Sequence, residues 1–231
     1  MRVFVEGVGL LGPGLNGWQA SRPLLSGDAA YAPRPTVVTA SELLPAAERR
    51  RTGLPVKLAL AAGCEAFVHA GRDAAITATV FTSSSGDGEN LHQICATLAS
   101  PEREISPTRF HNSVHNAPAG YWSIATRSHE PSTSLCCHDA SFAAGLLDAA
   151  AQVAVDGKPV ALITYDQPYP EPLHAVRPIS ASFGMALVMT PQATGHAFAT
   201  LDISFVPGAA SATRMTDSGL DAVMTGVPAA R

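Results

Sequence analysis

Apolar positions along the chain fall into short runs, separated by Ala-rich stretches with helical spacing. Val3–Val8 reads as a strand running into the glycine-rich turn Gly9–Gly14. Asn16 is placed to cap a short helix carrying Trp18, Leu24 and Leu25. Residues 27–50 read as a loop with a short helix, ending in the basic run Arg49–Arg51. Pro55 suits a helix start, after which Val56, Leu60, Cys64, Phe67 and Val68 fall on one face. Ala75–Thr82 predicts a strand, Ser83–Gly88 a small-residue turn and Glu89–Leu98 a helix. Further on, the pattern predicts a helix over Asn116–Arg127, a short strand over Ser132–Cys137 and a long helix over Ala140–Val155. That helix carries Phe142, Leu146, Ala149 and Val153 on one side and is ended by Gly157. Pro159–Tyr165 is the next strand. Ser180–Thr190 and Ala197–Val206 read as two strands able to pair as a hairpin around Pro191–Gly195. From about Pro207 the chain is Ala/Gly/Ser-rich, with a short amphipathic piece at Leu220–Met224. Strands alternating with helices predict an α/β fold whose largely parallel sheet is made mixed by the final hairpin.

The 231 residues are one domain's worth of chain, so residues 1–231 are read as a single domain with a poorly defined tail from about 207. Apolar residues at 46% against 15% charged exclude a disordered chain. A net charge of −4 excludes the basic face of a nucleic-acid binder, and 6% aromatics leave little for base stacking. No apolar run approaches the roughly 20 residues of a membrane span, and Glu6 with three glycines breaks any secretory leader. Cys64, Cys95, Cys136 and Cys137 form no disulfide framework and no CxxC, which fits a reducing cytoplasm.

The segment Leu135-Cys-Cys-His-Asp-Ala-Ser-Phe142 gathers the most reactive residue types, where a strand meets a helix. A thiolate there gains from the helix N-terminus, so Cys137 beside His138 is a candidate nucleophile. The alternative makes Cys136 and Cys137 plain strand residues and Asp139 a helix cap, because neighbours on a strand point to opposite faces. His111 and His115 have the spacing of a metal pair, but no third ligand follows at matching spacing and no metal is expected. The turn Ser83–Gly88 and Gly7-x-Gly9 resemble phosphate-binding turns only weakly, and no cofactor is expected.

Taken in order, these pieces resemble the N-terminal half of a β-ketoacyl synthase. The matching stretches are Val3-Phe-Val-Glu-Gly-Val-Gly-Leu-Leu11, Glu48-Arg-Arg-Arg51 leading to Lys57-Leu-Ala-Leu-Ala-Ala62, and Phe81-Thr-Ser-Ser-Ser-Gly-Asp-Gly88. The most specific runs from Ser106-Pro107 through Asn116-x-x-Ala119-Gly120 to Pro131-Ser132. The resemblance covers roughly residues 1–205 and implies half of a thiolase-like fold, layered α/β with a five-stranded mixed sheet flanked by helices.

Departures from the family pattern shape the functional expectation. An active ketosynthase carries its cysteine eight residues after the Pro of the Pro-Ser strand, and counting from Pro131 that position is Asp139. A carboxylate is a good cap but a poor acyl acceptor. The second, pseudo-symmetric half, with its two histidines, is absent from the sequence, and Asp166–Pro178 replaces a longer insertion. A ketosynthase-like chain without its nucleophile resembles a chain-length factor, most similar to truncated subunits of aryl polyene and xanthomonadin-type pathways. The resemblance implies a full-length β-ketoacyl synthase as partner and an acyl carrier protein, engaged indirectly or, where it docks directly, through basic residues such as Arg49–Arg51. It places the main interface on Ser132, Thr133, Ser134, Leu135 and Cys136, with the flank Phe110–Arg127. It also places Glu89, His92, Cys95, Ala96 and Phe110 along the acyl tunnel. Glu89, His92 and Ala96 share one helical face, and Leu91, Ile94 and Cys95 the other. The competing expectations are a stand-alone acyltransferase using Cys137 with His138, and a carrier-protein docking scaffold.

Overall fold

A computed structural model describes residues 1–206, 208 and 213–231. Its strands are β1 (Arg2–Gly12), β2 (Leu15–Asn16), β3 (Ala78–Thr82), β4 (Ser132–Leu135), β5 (Val160–Asp166), β6 (Phe183–Thr190) and β7 (Ala199–Asp202). The helices are α1 (Trp18–Ser26), α2 (Ala46–Arg51), α3 (Leu54–Ala70), α4 (Gly88–Ala99), α5 (Pro107–His111), α6 (Ala117–Thr126), α7 (Ser141–Asp156), α8 (Leu173–Val176) and α9 (Ser218–Gly226). The sheet runs β2-β1-β6-β5-β3-β4, and β7 pairs with β1. Among the described residues seven strands therefore stand where five were expected; one of the two extra, the two-residue β2, is too short to leave a periodic signal. The sheet is mixed: β3 pairs in parallel with β4 and β5, and β6 is antiparallel to both β5 and β1.

The expected hairpin does not form. β6 and β7 lie on opposite sides of β1, which pairs Phe4 with both Thr190 and Thr200. Alternation along a strand fixes which face is buried, not which strand lies beside it. The first strand also continues to Gly12, so Gly7 and Gly9 are ladder residues and not a phosphate turn. A Cβ on Gly7 would sit 2.1 Å from the Ala66 carbonyl oxygen, and one on Gly9 would sit 1.9 Å from that of Ala62. These glycines let α3 lie directly on β1.

One layer of core packs α3 and α6 against the sheet through Leu58, Phe67, Phe81, Trp122 and Ile163. On the opposite face α7 buries Ala149, Ala150 and Val153, with Phe142 and Leu146 beside them, as its spacing predicts. Gly157 ends α7 in the left-handed conformation at φ 65°. Val68 leaves the predicted face of α3 and is 83% exposed, because its side chain lies one helical step past the sheet contact. The Asn16 cap fails too: Gly17 precedes α1, and the Glu65 carboxylate accepts the N–H groups of Leu10 and Trp18 at 2.9 and 2.5 Å.

Of the tail expected to be poorly defined, positions 207 and 209–212 lie outside the described residues. The rest folds back: Asp217 caps α9 through the Leu220 N–H at 2.9 Å. Leu220, Val227 and Ala229 are buried against Leu10, Leu15, Ile179 and Phe183.

Candidate functional site

Strands β3, β4 and β5 are parallel, so their carboxyl ends deliver three segments to one place: the turn Ser83–Gly88, the elbow Cys136–Ala140, and Asp166. In open α/β sheets such ends are where ligands bind. Asp166 is buried. Its Oδ1 accepts the Ser84 N–H at 2.9 Å, the Ser84 hydroxyl at 2.8 Å and the Ser83 hydroxyl at 3.1 Å. Burial pushes its carboxyl up, and the hydrogen bonds from Ser84 and Ser83 work against that rise. Ser83 Oγ in turn accepts the Gly86 N–H at 3.0 Å, with Gly86 left-handed at φ 70°. The amides of Ser83, Ser84, Ser85 and Gly86 are thus taken by the protein's own acceptors. Asp87 caps α4 through the Asn90 N–H at 3.0 Å and accepts Gln167 Nε2 at 3.1 Å, and its own burial raises its carboxyl.

At the elbow, Ser141 Oγ accepts the Cys137 N–H at 3.0 Å and lies 2.7 Å from the His138 carbonyl oxygen. His138 is left-handed at φ 53°, a conformation rare outside glycine. Cys136 donates its thiol to the Ser84 carbonyl at 3.2 Å. Asp139 caps no helix, contrary to expectation: Cys137 and Ala140 hold the cap positions without side-chain hydrogen bonds. Its carboxylate instead meets Arg177 Nη2 at 2.7 Å and Arg231 Nη1 at 2.9 Å. Partial desolvation opposes its charge, but hydrogen bonds and the charges of these two arginines hold the carboxyl below the usual range. Arg177 is fixed from behind by the Tyr169 hydroxyl at 2.5 Å. The His138 imidazole faces Asp139, with Nδ1 at 3.5 Å from Oδ1. Among the described residues no hydrogen bond joins the Cys137 thiol to a base. Cys136, Cys137 and His138 are all exposed.

The residues expected along a tunnel divide. Glu89 lines a cleft of about 680 Å³ with Arg50, Arg51, Arg109 and Asn90. His92 is half-buried, while Cys95 and Ala96 face outward. The shared face of Leu91, Ile94 and Cys95 splits: Ile94 turns inward, and Leu91 and Leu98 are exposed beside Cys95. Phe110 is 68% exposed on the rim of a groove of about 510 Å³ between α5 and α6, which also carries Val114 and Ile124. Ser132, Thr133, Ser134 and Leu135 form the edge strand β4, and Cys136 lies just past its end. His111 packs edge-on against Tyr121 at 6.1 Å, and His115 approaches Gly86. The described residues contain no group of three or more metal-ligating side chains. No helix among them is long and apolar enough to cross a membrane.

Sequence reasoning missed Asp166, Ser141, Tyr169, Arg177 and Arg231. Asp166 carried a signal, as the charge that ends an otherwise apolar strand. The arginines carried none, since they reach Asp139 from 38 and 92 residues away.

A mixed sheet between helical layers, with a strand–elbow–helix at its parallel edge, defines a thiolase-like α/β protein of the ketosynthase type. The family model for the β-ketoacyl synthase N-terminal domain matches residues 18–223, and the chain belongs to that family. Among solved structures it is similar to a chain of the ketosynthase (ApeO) in complex with its chain length factor (ApeC) from Xenorhabdus doucetiae. There the TM-score is 0.71 and the identity 26%, over 84% of this chain and 81% of that one. The fold is shared with a β-ketoacyl synthase from Burkholderia phymatum STM815 at TM-score 0.65 and 16% identity, over 82% and 59% of the two chains. It is shared also with the ishigamide ketosynthase/chain length factor at TM-score 0.68 and 15% identity, over 84% and 63%. The chain thus spans about three-fifths of the length of the latter two. No curated protein sequence matches it.

Proposed function

We propose that this chain is a non-catalytic, chain-length-factor-like subunit that pairs with a full-length β-ketoacyl-ACP synthase and shapes the tunnel holding the growing acyl chain. The observation that carries the reading is Asp139. The elbow position that bears the nucleophile in the family holds a carboxylate engaged by Arg177 and Arg231. A carboxylate held in two ion pairs is a poor nucleophile toward a thioester. The similarity to a chain of a ketosynthase–chain length factor complex, of nearly this chain's length by the shares covered, favours the same kind of assembly.

In this reading the partner docks along β4 and the apolar rim of Phe110, Val114 and Ile124. Exposed Leu91, Cys95, Ala96 and Leu98 on α4 gain cover from the partner and face the acyl chain. A polyene or fatty-acyl product follows from the resemblance, as does a cytoplasmic setting. Carrier protein meets the complex through the cleft bearing Arg50, Arg51 and Arg109. Co-expression with a candidate ketosynthase, carrier protein and malonyl supply tests the reading. Product length should shorten when Ala96→Phe or Cys95→Phe is introduced, and an unchanged distribution removes both from the tunnel.

A second reading, a stand-alone acyltransferase, is favoured only by the exposure of the Cys137 thiol. Intact-mass measurement after incubation with carrier protein loaded with an acyl thioester separates the two: selective acylation of Cys137, with release of the carrier thiol, supports the enzyme, and no adduct supports the subunit.

A further inference from the structure

The Asp139 carboxylate joins three parts of the chain that are remote in sequence. Arg177 leaves the loop after β5, and Arg231 follows the short 3-10 turn Pro228–Ala230. Arg231 arrives preorganised, because its Nε donates to the Thr225 carbonyl at 2.9 Å while Nη1 meets Asp139 Oδ2 at 2.9 Å. Arg177 is held likewise, between Tyr169 and Asp139. The segment between α9 and Arg231 is seated by the Ser180 N–H on the Gly226 carbonyl at 3.1 Å, and it buries Val227 and Ala229 completely. It packs against β5, β6, the start of α7 and the elbow itself.

We infer that Asp139 is a positioning residue: it is the counter-ion that fixes segment 217–231 across the elbow and closes the carboxyl ends of the strands with the chain's own residues. The inference goes beyond the subunit reading and stands without it. It assigns the elbow carboxylate a task, where the subunit reading uses it only as a poor acyl acceptor. Because both arginines bind one carboxylate, the loop after β5 and segment 217–231 share a single anchor, and each keeps its own arginine contact to it. Restoring a cysteine at this position opens the closure and does not by itself rebuild a reaction centre.

Hydrogen–deuterium exchange on the full chain tests this, with Asp139→Asn, Arg231→Gln, Arg231→Lys and, as a remote control, Arg2→Gln, which breaks the exposed Arg2–Asp202 pair. Asp139→Asn should speed exchange in peptides from 217–231 by roughly two- to fivefold, the scale of a partly exposed ion pair. It should also speed exchange in the loop after β5 that carries Arg177. Arg231→Gln should loosen the terminal segment but leave that loop alone, and Arg231→Lys should restore most of the protection. Unchanged exchange in folded Asp139→Asn overturns the inference, as does equal acceleration by Arg2→Gln. Should Asp139→Asn fail to fold, Arg231→Gln carries the test: a terminal segment protected as in the parent chain overturns it.

Discussion

Asp166 Oδ1 accepts both the backbone N–H and the hydroxyl of Ser84, at 2.9 and 2.8 Å, so one buried oxygen ties the end of β5 to the turn after β3. With the Ser83 hydroxyl at 3.1 Å, this oxygen accepts from three donors, all on buried residues. Asp166→Ala leaves those donors unpaired and should cost about 2–4 kcal/mol in denaturant unfolding, the scale of orphaned buried groups. Ser84→Ala removes one donor together with its need and should cost less. Equal costs for the two would place the organising role in the serine.

The close packing of α7 on the sheet gives a sharper test. A Cβ on Gly145 would lie 2.2 Å from Thr82 Cγ2 and 2.9 Å from Leu162 Cδ1, both in the buried interior. Gly145→Ala gains helix propensity of about 1 kcal/mol but forces α7 away from β3 and β5, and overpacking of this kind costs about 1–3 kcal/mol or more. The net result should be a lower melting temperature. Gly120→Ala on α6, where nothing beyond its chain neighbours and its own helix backbone lies within 4 Å of the added carbon among the described residues, should be neutral or stabilising.

The elements near this packing were legible because they are local. The spacing of Phe142, Leu146, Ala149 and Val153 places α7, and Gly157 ends it. Pro55 falls in the first turn of α3. What escaped was set by distant partners. Pairing of β7 with β1 rests on residues about 200 positions apart, and no period within either strand records it. Glu65 displaced Asn16 at the start of α1 from another helix. Asp139 looked like a cap because Asp before a helix usually is one; two arginines without any local signal took it instead.

Acid should loosen the elbow. The Asp139 carboxyl titrates below its usual range in the folded chain, so its stabilising contribution is complete above the unfolded value near 3.9. It is lost as pH falls through the lower folded value. The groups facing it are Arg177, Arg231 and the His138 imidazole. Protection factors in 217–231, taken relative to the intrinsic exchange rate at each pH, should therefore hold down to about pH 4 and fall below it. Asp166 acts in the opposite sense: its raised folded value makes the buried charge a cost above that value, a cost relieved on acidification. Asp139→Asn should flatten this acid-side loss of protection, and a parent-like profile in that variant would remove Asp139 as its source.

The edge strand permits a test that separates assembly from folding. Pro131 and Leu135 of this stretch offer their carbonyls to Thr79 and Ser83 of the neighbouring stretch, at 3.0 and 3.3 Å. Parallel pairing alternates, so Thr133 also faces β3, while the backbone groups of Ser132 and Ser134 point to the open side. Ser134→Pro removes an outward N–H and spares the β3 ladder, which edge strands tolerate. Thr133→Pro removes an inward one. If a ketosynthase adds its own strand along β4, Ser134→Pro should abolish co-purification while the melting temperature moves little. Thr133→Pro should lower the melting temperature itself. Retained binding by Ser134→Pro, with the fold intact, would move the docking surface off the strand edge and onto the rim of Phe110, Val114 and Ile124, where Phe110→Asp would then have to break it.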